Sequence, residues 1–270
     1  MKTRNAKKID MIILIAESKT MANRLMSVSS NLFEAHKPIF EKEAQEIMDN
    51  VRSMDIADLS SQLKISFALA RKAESYAADF SNISKGDATI KEFTGEVFKA
   101  LDVSSLSEED LMYAEKHLLI VSSVYGLLRT SDIVRPYRLD YNCNCSPNGG
   151  KISDFWKHRI TRSLIDIIDT SDCSEVVNLL PGEAMKCIDM KELASKARIV
   201  KPDFKYFSDD GTLKSPHSGR LKELRGLLLR RIIQDKISSI DELLQMEDNH
   251  FSFYPDASTP ETPLFIADAK

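Results

Sequence analysis

The chain has 270 residues, of which 43% are hydrophobic and 29% charged, and its formal net charge is −4. This length and composition suit one large folded core and exclude a disordered or fibrous chain, while the mildly acidic balance excludes a strongly basic nucleic-acid-binding domain. No apolar run has the length that crosses a bilayer, and the apolar stretch near the N-terminus lacks the cleavage pattern of a signal peptide, so we expect a soluble, cytoplasmic protein without a membrane partner.

The first half of the chain is predicted to hold two buried strands separated by helices. Residues 9–16 are a continuous apolar run, typical of a strand buried on both faces, and residues 118–124 have the same character. Helical spacing covers residues 23–52, where Pro38 is a break or kink. Further helices are predicted over residues 55–64, 66–80 and 92–101 and from the capping box at 107–110, with a loop over 81–87.

The second half alternates between helices and strands. The predicted elements are a helix over 152–168, a strand over 176–180, a strand pair over 197–208 bent at Pro202, a hairpin turn at 209–211, a helix over 218–236, and terminal strands at 251–253 and 264–266. No internal repeat is present. We therefore predict one domain over residues 1–270, of the α+β or mixed α/β class, with a central mixed β-sheet wrapped by helices.

Residues 122–141 place cations and phenols in an apolar background. The segment reads SSVYGLLRTSDIVRPYRLDY and contains three arginines and three tyrosines. Burying a guanidinium requires a paired anion or several acceptors, and its planar fork suits a carboxylate or phosphate. We interpret Arg129 and Arg138 as candidate anion contacts, although Asp132 could instead pair with the arginines. Gly126 permits a close backbone approach to a phosphate or serves tight packing, and Tyr137 could stack on a base or fill the core.

Other candidate residues lie at strand ends and on the last helix. Lys19 follows the first strand at its carboxyl end, where open α/β sheets bind ligands. Helical geometry places Arg225 inside the apolar sector of the last helix and Lys222 at its margin, for an anionic ligand or for a salt bridge to Glu183 or Asp132. Asn178 ends a strand, and the following Glu183 and Lys186 could supply an acid and a base to one crevice or simply form an ion pair.

The cysteines and histidines argue against a metal site. Cys143, Cys145, Cys173 and Cys187 lack CxxC spacing, which fits a reducing compartment, and the five histidines are scattered. The spacing of Cys143 and Cys145 would suit a soft metal, but no second pair of ligands follows, so two ordinary thiols are favoured. We predict neither a metal nor a cofactor.

The chain resembles the peroxide-stress protein YaaA family over nearly its whole length. The matching positions of the central segment are Tyr125, Gly126, Leu128, Arg129, Asp132, Pro136, Tyr137, Arg138 and Leu139. Outside it they are Phe93, Gly95, Val97, Asp154, Phe155, Trp156, Asn178, Leu179, Glu183, Lys186, Lys222, Arg225, Gly226 and Arg230. Where the family has Ser-Pro-Ala-Lys-Thr after the first strand, this chain keeps Lys19 and Thr20 but has Ala16, Glu17 and Ser18 before them.

The resemblance implies a fold and a function. It implies a strand-rich centre wrapped by helices with a helix-hairpin-helix-like element, and peroxide tolerance through limiting free intracellular iron. It also implies sequence-independent binding of the duplex DNA backbone in a basic cleft. The candidate nucleic-acid or anion-binding residues are Lys19, Gly126, Arg129, Tyr137, Arg138, Asn178, Lys186, Lys222, Arg225 and Arg230.

The alternative is an enzyme that acts on a small phosphorylated or carboxylated metabolite. In that case the same cations hold the anionic group, and Glu183 or Tyr137 donates or accepts a proton. A deep closed pocket would favour the metabolite, whereas an open groove would favour the duplex. The sequence predicts no oligomeric state.

Overall fold

The computed structural model describes residues 9–22, 36–82, 86–246 and 248–268 and has a mixed α/β fold. The strands are β1 (Met11–Ala16), β2 (Asp87–Ala88), β3 (Leu118–Ser122), β4 (Gly126–Arg129), β5 (Ile133–Val134), β6 (Glu175–Asn178), β7 (Arg198–Val200), β8 (Asp203–Phe207), β9 (Leu213–Lys214), β10 (Phe251–Phe253) and β11 (Leu264–Ala267). The helices are α1 (Glu41–Arg52), α2 (Ile56–Leu63), α3 (Phe67–Ala78), α4 (Thr89–Glu92), α5 (Glu96–Leu101), α6 (Glu108–His117), α7 (Ile152–Ser171), α8 (Gly182–Met185), α9 (Met190–Ala194), α10 (Ser218–Gln234) and α11 (Ile240–Leu244).

The main sheet has five strands in the order β4-β3-β1-β6-β7. β1 pairs in parallel with β3 and with β6, β6 pairs in parallel with β7, and only β4 is antiparallel to its neighbour. Met11 to Ile15 are all at most 1% exposed, because helices cover both faces of a central parallel strand. The predicted buried strands at 9–16, 118–124 and 176–180 are therefore confirmed as β1, β3 and β6.

The order of the strands reverses between the parallel neighbours β1 and β6. From β1 the chain continues to β3 on one side, and from β6 it continues to β7 on the other. The carboxyl ends of β1 and β6 consequently lead away from each other and leave a crevice between them, which is the usual ligand-binding position in an open α/β sheet.

A second sheet has the order β10-β11-β8-β9, and β2 pairs with β5. The prediction that the two strands within residues 197–208 pair with each other is wrong. The chain does divide at Pro202, but β7 joins the main sheet beside β6, while β8 joins the second sheet beside β11. The predicted turn at 209–211 is confirmed, because it connects β8 and β9 in an antiparallel hairpin.

Two predicted segments, a helix and a loop, differ in detail from the structure. The predicted helix over 92–101 is divided into α4 and α5, because residues 93 and 94 leave the helix to bond with the segment after β1; the Thr94 amide donates to the Thr20 carbonyl at 3.0 Å. Residues 83–85 of the predicted loop over 81–87 lie outside the described residues, and its last residue, Asp87, belongs to β2. The part of the predicted helix over 23–52 that precedes residue 36 lies outside the described residues, and the remainder begins only at Glu41, after Pro38.

Helices α5 and α10 form a closely packed pair beside the crevice. A Cβ atom on Gly226 of α10 would lie 2.3 Å from the Val97 carbonyl oxygen of α5, so the approach requires glycine. None of the helices within the described ranges is long and apolar enough to cross a membrane. A helix-hairpin-helix-like element and a single domain over the whole chain stay predictions.

Candidate functional site

A pocket of about 310 Å³ lies at the carboxyl edge of the main sheet. Its wall includes residues 15–20, at and after the end of β1, and Leu179, Pro181 and Glu183, which follow β6. The lining is completed by residues 95–98 at the start of α5, by Tyr141, and by Lys222 and Arg225 of α10. The pocket therefore occupies the crevice where β1 and β6 diverge.

Local hydrogen bonds shape the segment after β1. The Ser18 hydroxyl oxygen accepts from the Thr20 amide at 3.1 Å and lies 3.0 Å from the Thr20 hydroxyl. Gly95 packs against this turn, since a Cβ there would lie 2.3 Å from the Ser18 oxygen. The turn holds the backbone of Lys19 between β1 and α5. It therefore fixes the position from which the Lys19 side chain extends.

Lys19 is paired, but only in part. Its ammonium donates to Asp140 Oδ2 at 2.5 Å, and its carbonyl accepts from Arg138 Nη1 at 3.1 Å. Burial lowers the pKa of Lys19, but the hydrogen bond and charge of Asp140, with Glu183 and Glu17, outweigh burial and hold that pKa above its ordinary value. The side chain keeps 48% exposure, so Lys19 stays charged and accessible.

Arg225 is the most buried of the three cations that line the pocket, and it lacks an ion pair within the described residues. Its side chain is half-buried, and no hydrogen bond or ion pair joins its guanidinium to another residue of the described ranges. Burial lowers its pKa, and the more distant charge of Asp203 opposes that shift only in part. Lys222, one turn earlier on α10, is exposed and likewise has no ion-pair partner among the described residues. A half-buried cation without a counter-ion favours an anionic ligand.

Glu17 adds a half-buried carboxyl group to the pocket. Its Oε2 accepts from the Ser123 amide at 3.0 Å and from the Tyr137 hydroxyl. Burial raises the pKa of Glu17 to about 7, although the hydrogen bonds from Ser123 and Tyr137 lower it. Tyr137 is itself 3% exposed and lies 2.7 Å from the Ser122 hydroxyl. The pocket thus contains a group that can gain or lose a proton near neutral pH.

Three of the other predicted residues lie beside the pocket without lining it. Arg138 reaches the Lys19 carbonyl. Lys186 donates to the Asn142 side chain at 3.0 Å, next to Asp140, and does not form the ion pair with Glu183 that was one interpretation of their spacing. Asn178 is 1% exposed and accepts from the Leu180 amide at 3.0 Å, so it shapes the chain where β6 ends.

Three further candidates have structural partners elsewhere. Arg129 donates through Nε and Nη2 to Asp132, at 3.0 and 2.6 Å, as the pairing interpretation predicted. Arg230 donates to the carbonyls of Leu101 and Asp102, at the end of α5. Gly126 has a φ of +70°, and a Cβ there would lie 2.6 Å from the Trp156 ring. Its conformation therefore serves packing, and its proposed role as an anion contact stays a prediction.

The comparisons with known proteins agree with one another. A family model described as peroxide stress protein YaaA matches residues 11–257. The chain belongs to this family. A UPF0246 protein of Clostridium perfringens is 30% identical over 96% of this chain and 100% of its own length. Proteins of the same description from Aliivibrio fischeri and Dinoroseobacter shibae are each 31% identical, over 94% and 85% of this chain and 97% and 86% of their own lengths.

Within the YaaA family pattern, Glu17 is the functional candidate that sequence reasoning missed. A signal was present, because Glu17 is an acidic residue directly after an apolar strand and two positions before Lys19. The sequence did not show the hydrogen-bond donors to Glu17, because Tyr137 and Ser123 are more than a hundred residues away along the chain. In the described part of this YaaA-family chain, no three His, Cys, Asp or Glu side chains are grouped so as to hold a metal ion.

Proposed function

We propose that this protein acts in the response to peroxide stress by binding the phosphate backbone of duplex DNA and that it helps to limit free intracellular iron. Membership of the peroxide stress protein YaaA family supports the role in peroxide stress. DNA binding and iron limitation are the finer parts of the proposal, and they follow from the resemblance of the sequence.

The observation that carries the proposal is the group of cations at one edge of the main sheet. Lys19, Lys222 and Arg225 line one pocket, and Arg225 has no described counter-ion. Arg138 lies next to Lys19. Phosphate oxygens suit such a group, because they accept hydrogen bonds from both ammonium and guanidinium donors. Arg129 and Arg230 contribute less to the proposal, since their guanidinium groups already have partners in the protein.

The test is the salt dependence of binding to a fluorescently labelled duplex, followed by anisotropy. Four phosphate contacts predict a slope of log affinity against log salt of roughly −3 to −4, and loss of one contact reduces it by about one. Arg138→Ala and Arg225→Ala are expected to weaken binding to all sequences alike. Lys72→Ala, which removes an exposed lysine of α3 outside the pocket, is the control and should leave affinity unchanged.

The same variants connect binding to the cellular role. In cells that lack the native copy, Arg225→Ala should fail to restore survival of hydrogen peroxide and should leave free iron, measured by electron paramagnetic resonance of chelated iron, at the level of the deletion strain. Full rescue by a variant that no longer binds the duplex would separate the two activities and reject DNA binding as the route to peroxide tolerance.

A second candidate function is an enzyme acting on a small anionic metabolite, and the shape of the pocket favours it. A volume of about 310 Å³ suits a small molecule, whereas the width of a duplex lets only a phosphate group enter such a space. Glu17 and Glu183 lie in the same pocket as the cations and are the candidates for proton transfer. Titration calorimetry with inorganic phosphate tests this candidate: saturable binding that Arg225→Ala abolishes supports it, and absence of binding rejects it.

A further inference from the structure

We propose that Glu17 makes the pocket a proton-linked anion site, in which the protonated Glu17 carboxyl donates a hydrogen bond to a phosphate or carboxylate group of a small ligand held by Arg225 and Lys222. This inference rests on the second candidate function above. It assigns the proton to Glu17, which directly follows β1 and lines the pocket.

The hydrogen bonds behind Glu17 have a defined direction. The Ser122 hydroxyl oxygen accepts from the amides of Val124 and Tyr125, at 3.2 and 3.0 Å. These two bonds occupy its two lone pairs, so its own proton must point to the Tyr137 oxygen, 2.7 Å away. Tyr137 in turn donates its proton to Glu17 Oε2. The chain of donors therefore runs in one direction, from Ser122 through Tyr137 to Glu17.

This direction determines which oxygen of Glu17 carries a proton. Oε2 accepts from Tyr137 and also from the Ser123 amide at 3.0 Å. An oxygen that accepts two hydrogen bonds is a poor position for the acid proton, so the neutral carboxyl carries it on Oε1. The Ser123 hydroxyl also lies beside the carboxyl and lowers the pKa of Glu17. The amide of Ser123 and the hydroxyl of Tyr137 both bond to Oε2, and Glu17 lines the pocket. The protonated form thus offers a donor to a ligand, and the ionised form offers only negative charge.

Four titratable groups around Glu17 keep the same charge over this pH range. Tyr137 and Tyr141, from the segment after β5, and Cys187, after α8, have pKa values raised by burial and by the charge of Glu17, so they stay neutral. Lys19 stays charged, for the reason given above. The remaining charged groups that line the pocket are Glu96, Glu183, Lys222 and Arg225, and variants of the two glutamates therefore belong in the test.

The coupling between anion binding and protonation of Glu17 determines whether affinity rises or falls with pH. An anion beside Glu17 favours its protonated form, so binding takes up a proton and weakens as pH rises through about 7. One linked proton changes affinity by at most about tenfold per pH unit. A suitable probe is sulfate, because its charge stays constant over this range, whereas inorganic phosphate titrates near neutral pH.

The experiment is titration calorimetry with sulfate on the full chain from about pH 5.5 to 8.5. We expect the wild-type affinity to fall with rising pH and Glu17→Gln to bind with little change, because its amide keeps an acceptor for Tyr137 and Ser123 and a donor for the ligand. Tyr137→Phe should move the midpoint to higher pH, since it removes a hydrogen bond that lowers the pKa of Glu17. Glu96→Gln should keep the wild-type slope, and Glu183→Gln tests whether Glu183 holds the proton instead.

The outcomes separate this inference from the function on which it rests. If neither wild type nor Glu17→Gln binds sulfate at low pH while both give native circular dichroism spectra, the anion site itself is rejected, and the inference with it. If both bind with the same pH slope, the anion site stands and the role of Glu17 is overturned. Loss of the slope in Glu183→Gln instead would assign the proton to Glu183 and equally overturn it.

Discussion

The cations of residues 129–135 and those of the pocket differ in what balances their charge. Arg129 bonds to Asp132, which is fully buried, and Arg135, 7% exposed, bonds to Glu41 and lies 4.2 Å from the centre of the Phe80 ring. In the pocket, Arg225 is half-buried without a described counter-ion. Composition drew attention to the first region, yet its arginines are neutralised within the protein. A buried cation therefore points to a ligand only where the protein does not supply the anion.

The largest loss of stability is expected from substitution of Asp132, the partner of Arg129. Its carboxylate accepts from the Arg129 amide, at 2.8 Å, as well as from the guanidinium. Asp132→Ala removes all three bonds, and we expect it to lower the free energy of unfolding by about 2–4 kcal/mol, less than for a fully enclosed partner because Arg129 can still reach water. Urea unfolding measures the change.

Asp140→Ala is the matched control, since Asp140 pairs with a lysine that is half exposed. Its loss should cost less than about 1 kcal/mol. Equal losses for Asp132→Ala and Asp140→Ala would mean that the two regions do not differ in how much their ion pairs stabilise the fold.

The next largest effect is expected where α10 meets α5. Gly226→Ala would force a methyl group against the Val97 carbonyl of α5 and the Ala100 side chain, so we expect a loss of about 1–3 kcal/mol. Because Val97 and Arg225 both line the pocket, separating the helices should also weaken sulfate binding. Gly182→Ala, with nothing within 4 Å of the added atom, should leave stability within about 1 kcal/mol of wild type. A stable Gly226→Ala variant with unchanged affinity would contradict this account of the pocket wall.

The sequence was sufficient to predict the parts of this fold that depend on local pattern. Continuous apolar runs identified β1, β3 and β6, and helical spacing placed Arg225 toward the interior of α10. The sequence did not predict which charged side chains pair, because partners such as Arg135 and Glu41 are 94 residues apart along the chain. The division between α4 and α5 was missed for the same reason, since it depends on the hydrogen bond between Thr94 and Thr20.

The pH dependence of stability is expected to distinguish Glu17 from the paired carboxylates. Its pKa in the folded state is about 7, above the ordinary value of 4.5, so the folded protein binds the extra proton more tightly. The resulting stabilisation is complete below pH 4.5 and is lost as pH rises to about 7. Since Glu17 keeps some contact with solvent, we expect a loss of about 1–2 kcal/mol, measured as the difference between wild type and Glu17→Gln in urea unfolding. If the free energy of unfolding changed with pH in the same way in both proteins, the raised pKa of Glu17 would be contradicted.

The smallest effect on stability is expected at Arg225, where the effect on binding should be large. Arg225→Met keeps the length of the side chain and removes a charge whose burial is not offset by a described ion pair, so the free energy of unfolding should stay within about 1 kcal/mol of wild type or increase. Sulfate and duplex binding should nevertheless be lost. Arg230→Met is the control from the same helix: it removes hydrogen bonds to the carbonyls of Leu101 and Asp102 and should cost about 1 kcal/mol while binding is retained. A large loss of stability in Arg225→Met would mean that the fold itself uses this guanidinium, and the reason for placing an anion beside it would disappear.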